Sequence, residues 1–293
     1  MMNMTPPPPP KPFRTPIVTS IAPYLGGIDA WICDIWGVVH NGLAAFPSAV
    51  DACVRFRKSG GSVLLLTNAP RPAAAILQQL EKLKVPTTSF DAVLTSGDLT
   101  LRLIDENAHK PICHIGPPRD RGLFEGRHLN LVGLDRAEVI VCSGLDDDET
   151  ETAEDYRARL SQPAQRGAMM ICANPDITVA RGNKLIPCAG AIAALYEAIG
   201  GQVVYAGKPY LPVYERAFDM LATIRGKPIR HDAVLAIGDG INTDMRGAMT
   251  AGLKPVFVAS PVHLPEPLTS GSLERAMATL PGQPIAAMQA LAW

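Results

Sequence analysis

The chain has 293 residues, 47% of them hydrophobic, and a formal net charge of −1. That length suits two modest domains or one large one, with enough apolar residues for a sizeable core. The near-zero charge excludes binding to nucleic acid or an anionic membrane through bulk electrostatics, so an anionic ligand must be held by a few placed cations and backbone N–H groups.

The chain opens with MMNMTPPPPPKPFRTP, in which Pro6–Pro10 are consecutive. Residues 1–20 read as an extended, disordered tail with no apolar segment of secretory type. No apolar run reaches the length of a membrane span, and a cytoplasmic protein is expected. Short apolar runs then alternate with helical stretches, the pattern of an α/β protein with a mainly parallel sheet. Strands are predicted at Trp31–Ile35, Ser62–Thr67, Ala92–Thr95, Pro111–Ile115, Glu138–Cys142, Ala168–Ala173, Gln202–Ala206, Ala233–Ile237 and Pro255–Val258. Helices are predicted at Ala49–Lys58, Pro72–Leu83, Leu99–Glu106, Thr152–Gln165, Ala189–Ile199, Leu211–Thr223, Asp244–Ala251 and Leu273–Thr279. The six cysteines contain no C-x-x-C pair and read as buried thiols of a reducing compartment.

Open parallel sheets bind ligands beyond the carboxyl ends of their strands. Asp34 sits near the end of the first run, ahead of WGVVHNG, and Thr67-Asn68 close the second. Gly207-Lys208-Pro209 follow the Gln202 strand, and GDGINTD, with Asp239 and Asp244, follows the Ala233 strand. Carboxylates gathered at one sheet edge repel unless a cation sits between them. Only oxygen ligands are on offer, which favours a hard ion such as Mg2+. A hydroxyl, backbone N–H groups and a lysine complete a phosphate cradle, and a carboxylate facing that phosphate can attack phosphorus.

In this order, ICDIWGVV, LLLTNAP, AGKPY and AIGDGINTD resemble the four motifs of the haloacid dehalogenase (HAD) superfamily, and the resemblance runs from about Ala30 onward. The long stretch between Thr67 and Lys208 resembles the class with an α/β cap inserted between the second and third motifs. ICANPDITVARGNKLIPCAGAIAALYEAIGG resembles the NagD-like branch, class IIA. The resemblance implies a Rossmann-like α/β core from residues 21–88 and 184–293, and a mobile α/β cap over 89–183. It implies that Asp34 is nucleophile and metal ligand, that Thr67 and Asn68 bind the phosphoryl group, and that Gly37 lends it a backbone N–H. Lys208 steadies Asp34 and the phosphate. Asp239 holds Mg2+, the Trp36 backbone carbonyl joins it, and Asp244 supports the metal or Lys208. Asn174 and Asp176 lie on a turn facing the site between core and cap. The implied partner is a small phosphorylated metabolite, and the class leaves room for a homodimer.

One position departs from the pattern. Phosphatases of the superfamily carry a second Asp two residues after the nucleophile, as general acid and base; here it is Trp36, whose indole N–H only donates. General acid–base catalysis is typically worth about 100- to 10,000-fold. Four outcomes fit: hydrolysis of esters with good leaving groups, such as aryl or acyl phosphates; replacement of the acid by another group, His40 being nearest in sequence; a catalytically weak phospholigand-binding or regulatory protein; or attack at carbon, which the retained Asp239 and Asp244 disfavour. A Trp36 ring over the substrate would suit a planar leaving group. Arg119 and Arg121, in GPPRDRG, are candidates for cap cations reaching a substrate but read first as surface charge, and Asp146–Glu149 reads as a solvated loop leading into a helix N-terminus.

Overall fold

The computed structural model describes residues 13–181 and 184–293. Its strands are β1 (Ala30–Asp34), β2 (Ser62–Thr67), β3 (Ala92–Thr95), β4 (Pro111–Ile115), β5 (Asn130–Leu131), β6 (Val139–Cys142), β7 (Met169–Cys172), β8 (Thr178–Arg181), β9 (Lys184–Pro187), β10 (Gln202–Tyr205), β11 (Val234–Gly238), β12 (Lys254–Val258) and β13 (Ala286–Met288). The helices are α1 (Pro47–Lys58), α2 (Ala73–Lys82), α3 (Ser96–Glu106), α4 (Arg157–Gln165), α5 (Ala189–Ala198), α6 (Leu211–Arg225), α7 (Arg246–Thr250) and α8 (Ser270–Met277). Every predicted strand and helix is present. The strands missed are β5 and β13, too short to show a period, and the antiparallel pair β8 and β9.

Two sheets organise the chain. The core sheet runs β13-β12-β11-β1-β2-β3, and a second sheet runs β10-β7-β6-β4-β5; the pairs in both are parallel. A parallel sheet covered on both faces by helices needs apolar residues at every strand position, and β1, β2 and β11 are buried throughout. Successive residues divide between the faces. Trp31, Cys33, Val63, Leu65 and Ile237 pack with Phe56 of α1 and Leu80 of α2. Ile32, Leu64, Leu66 and Ala236 pack with Val213, Ala217 and Leu221 of α6. The cap sheet repeats the plan, with Ile140, Cys142 and Met170 against Leu160 of α4 and Ile192 of α5. Its other face sets Val139, Val141 and Ile171 against Ile104 of α3.

Sheet membership corrects the expected boundaries at 88/89 and 183/184. β3 pairs with β2, from Leu64↔Ala92 to Thr67↔Thr95, and belongs to the core sheet. β10 pairs with β7, from Gln202↔Met169 to Tyr205↔Cys172, and belongs to the cap sheet, with α5 packed against it. The inserted unit therefore lies between Thr95 and Ala206. A strand's local sequence shows that it is a strand but not which edge receives it. The expected tail is corrected too. Ile17 bridges to Ala287, the Val18 N–H donates to the Ala287 carbonyl at 2.8 Å, and Thr15 Oγ1 donates to the Pro284 carbonyl at 2.8 Å. Residues 13–20 thus dock on the β13 edge, while the run Pro6–Pro10 lies outside the described residues. All six cysteines are free and buried. No helix among the described residues is long and apolar enough to cross a membrane.

Candidate active site

Asp34, Thr67 and Asp239 stand at or just beyond the carboxyl ends of β1, β2 and β11, the centre of the core sheet. Lys208 reaches them from the return after β10. All four are buried, as are Asn68 and Asp244. The Lys208 ammonium donates to Asp34 Oδ1 at 2.5 Å and to Asp244 Oδ1 at 2.8 Å. The Gly240 N–H holds the other Asp244 oxygen, Oδ2, at 3.1 Å. Asp34, Asp239 and Asp244 each present an oxygen within 4.8 Å of the others'.

The electrostatics follow from that packing. Burial pushes the Asp34 carboxyl well above the usual range, Lys208 opposes it, and Asp244 and Asp239 add to it. Burial raises Asp239 to about 6. Burial alone would lower Lys208, but Asp244 and Asp34 outweigh it and hold the ammonium charged. One cation among three buried carboxylates leaves an excess of negative charge. Lys208→Met is therefore expected to destabilise the chain by about 3–5 kcal/mol, the scale for stripping a partner from a buried ion pair. Urea unfolding of parent and variant measures it; equal midpoints would show that the ammonium is not needed to hold the carboxylates.

Thr67 and Asn68 are fixed by their own contacts. The Ala69 N–H donates to Thr67 Oγ1 at 3.2 Å. Asn68 Oδ1 accepts from the Lys208 N–H at 2.8 Å, and its Nδ2 donates to the Lys208 carbonyl at 3.0 Å and to Asp176 Oδ1 at 2.9 Å. Asn68 thus ties the lysine loop to the cap turn, whose Asn174 Oδ1 accepts from the Asp176 N–H at 3.1 Å. Asn174 and Asp176 line the cavity between core and cap.

The role expected of Gly37 is corrected. Its N–H donates to the His40 carbonyl at 2.9 Å, so it is already committed. Gly37 is needed for space instead: its φ is +81°, and a Cβ would lie 2.1 Å from Asp239 Oδ2. Trp36 remains 41% exposed, with its ring edge on His40 at 6.1 Å between centroids. Gly42, at φ +86°, lets the indole lie over its turn, where a Cβ would sit 2.7 Å from Trp36 Cζ2. His40 is buried in the same cavity wall. Its Nδ1 accepts from the Gly42 N–H at 3.0 Å, which leaves the ring proton on Nε2, and burial lowers its pKa.

The cavity is about 410 Å3. Beside the core residues it is lined by Arg119 and Asp120 after β4, Ser143 and Asp148 after β6, and Asn174 and Asp176 after β7. The carboxyl edges of both parallel sheets open onto one space. Arg119 is exposed, as the surface reading expected, and also lines the cavity and pairs with Asp148; Arg121 is exposed too. The acidic loop is held by partners: Asp146 takes the Gly116 N–H at 3.1 Å and Arg159 at 3.0 Å, and Asp147 takes the Glu149 N–H at 3.0 Å. Sequence reasoning missed Asp120, Ser143 and His114. The strand-end rule, applied to GPPRD and SGLDDD after the cap strands, would have found the first two.

His114 carries a pH signature. Burial pushes its imidazole down to about 4. The unfolded chain then binds this proton more readily than the folded one, so stability falls as pH drops from about 6.5 towards 4. His114→Asn is expected to flatten that decline, read as the change in urea midpoint between about pH 7 and about pH 5. An unchanged slope would place the pH dependence elsewhere.

A parallel α/β core with a parallel α/β insertion over its carboxyl edge, and a lysine-bridged acidic cluster between them, defines a capped α/β protein with its candidate site between the two sheets. Residues 31–130 match the family described as haloacid dehalogenase-like hydrolase, and residues 205–280 match the HAD-hydrolase-like family. The structure of a haloacid dehalogenase-like hydrolase from Brucella suis 1330 is 39% identical, over 94% of this chain and 100% of that one, with a TM-score of 0.81. Dihydroxyacetone phosphatase of Corynebacterium glutamicum (strain R) is 40% identical, but the match spans only 32% of its length. Ribonucleotide monophosphatase NagD of Escherichia coli (strain K12) is 25% identical over 79% of this chain and 87% of that protein. The chain belongs to the haloacid dehalogenase-like hydrolases and is an enzyme of their NagD-like branch.

Proposed function

We propose that the chain is a Mg2+-dependent phosphatase that acts on a small phosphorylated metabolite, a phosphomonoester or acyl phosphate, through an aspartyl-phosphate on Asp34. The observation that carries this reading is the buried Lys208 ammonium bonded to both Asp34 and Asp244 within a trio of carboxylates at the cavity floor. The relatives named as phosphatases support the reaction class.

The residues fit Mg2+. The donors are all oxygens, three buried carboxylates share one ammonium, and burial, with the charge of Asp244 added, pushes Asp34 and Asp239 up, a cost that a divalent cation relieves. Asp34, Asp239 and the Trp36 carbonyl would hold it, with Asp244 in support. When bound, Mg2+ offsets charge on the transferring phosphoryl oxygens.

Lys208 engages Oδ1 of Asp34, so attack on phosphorus falls to Oδ2. A bond forms from that oxygen to phosphorus, and the bond from phosphorus to the leaving oxygen breaks. Thr67 and Lys208 hold the transferring group. Water then adds to phosphorus and frees Asp34, its proton passing to the departed oxygen. No carboxyl stands at position 36 to relay that proton, so acid catalysis is weakened and good leaving groups are favoured. The test is phosphate release from acetyl phosphate and p-nitrophenyl phosphate with and without Mg2+, beside Asp34→Asn. Turnover that needs both supports the reading. Release equal to the Asp34→Asn background moves the assignment to a phospholigand-binding protein.

A further inference from the structure

The cap holds one buried carboxylate that phosphoryl transfer does not use. Asp120 is 6% exposed and lines the cavity that holds Asp34. The Ser143 hydroxyl stands near enough to favour its charge, and Ser143 Oγ lies 2.9 Å from His114 Nε2. An ionised carboxylate has several acceptor sites, so Asp120 keeps acceptor capacity towards the cavity.

Among the described residues Asp120 has no ion pair within the cap. Nearby, Arg119 is paired with Asp148, and Arg71 donates to Gln79 at 2.8 Å. The two guanidiniums balance Asp120 and Asp148, so this wall offers hydrogen-bond acceptance and little net charge. A buried carboxylate disfavours an apolar ligand that would strip its water and return no hydrogen bond.

We infer that Asp120 is a specificity-determining residue: it accepts hydrogen bonds from hydroxyl groups of the leaving alcohol, so the site prefers phosphates of hydroxylated alcohols to those of plain alkyl alcohols. The inference rests on the phosphatase reading, which places the phosphoryl group at Asp34 and the leaving group towards the cap. It also narrows the preference for aromatic leaving groups that Trp36 suggested from sequence.

Binding tests it without turnover. Glycerol 3-phosphate and propyl phosphate differ in hydroxyl groups on the same carbon chain. Their affinities are measured by calorimetry with Mg2+ on the Asp34→Asn chain, alone and with Asp120→Ala or Asp120→Asn added. Glycerol 3-phosphate is expected to bind about 10- to 100-fold more tightly, the worth of a hydrogen bond to a charged group. Asp120→Ala removes most of that ratio and leaves propyl phosphate nearly unchanged; Asp120→Asn, which keeps one acceptor oxygen, removes part. Equal affinities in the parent, no measurable binding of either probe, or equal weakening of both by Asp120→Ala overturns the inference. Acetyl phosphate, whose leaving group carries no hydroxyl, reads the chemistry separately. Its turnover without discrimination in binding sinks the Asp120 role alone, and discrimination without turnover sinks the phosphatase reading alone.

Discussion

Asp34→Asn is expected to lower phosphate release by about 10,000-fold or more, the scale for removing a nucleophile, while leaving the fold at least as stable as the parent. The amide keeps the carboxylate's shape but cannot displace an alcohol from phosphorus. Stability survives for an electrostatic reason. Burial, Asp244 and Asp239 all disfavour the Asp34 charge. The substitution removes one of three crowded carboxylates, and Lys208 keeps Asp244 at 2.8 Å. Steady-state phosphate release and a thermal melt on the same preparation separate the two effects. Activity within about 100-fold of the parent would remove Asp34 from the chemistry. Loss of activity together with a collapsed melt would make the residue structural.

Trp36→Asp is expected to raise kcat/KM on an alkyl phosphate by about 100- to 10,000-fold, the span of general acid–base catalysis. Acetyl phosphate should gain far less, because its leaving group departs without a proton. The position tolerates the change. Trp36 is 41% exposed and touches the fold through His40 and the turn at Gly42, so removing the ring opens no core cavity. The ratio of the two gains is the decisive quantity. An equal gain on both substrates would mean that the indole merely obstructs the site. No gain on either would mean that more than the acid is missing, and would favour phospholigand binding over turnover.

How much of this was legible in the sequence follows from what is local. A β-strand of five apolar residues ending in a polar one states its own length and the residue at its carboxyl end. Asp34, Thr67, Lys208 and Asp239 could therefore be picked out as strand-end groups; the convergence of Asp34, Thr67 and Asp239 follows once β1, β2 and β11 are parallel neighbours, whereas Lys208 is brought in from the other sheet by the return after β10. The Asn-Pro-Asp turn came from the family resemblance rather than from strand ends; its Asx bond closes within two residues. Gly37 was found for the wrong reason. A glycine after a strand signals an unusual backbone or a close approach but does not say which, and here the approach is that of Asp239.

The sequence by itself therefore determined the α/β class, the order of the elements and which polar groups end the core strands, because propensity, periodicity and turn chemistry act over a few residues. Only the tertiary structure decided that β3 joins the core and β10 the cap, that residues 13–20 dock on the β13 edge, and that the carboxyl edges of both sheets face one cavity. Those outcomes depend on pairings between residues far apart in the chain, whose free energy comes from burial and hydrogen bonding between elements that no local window contains.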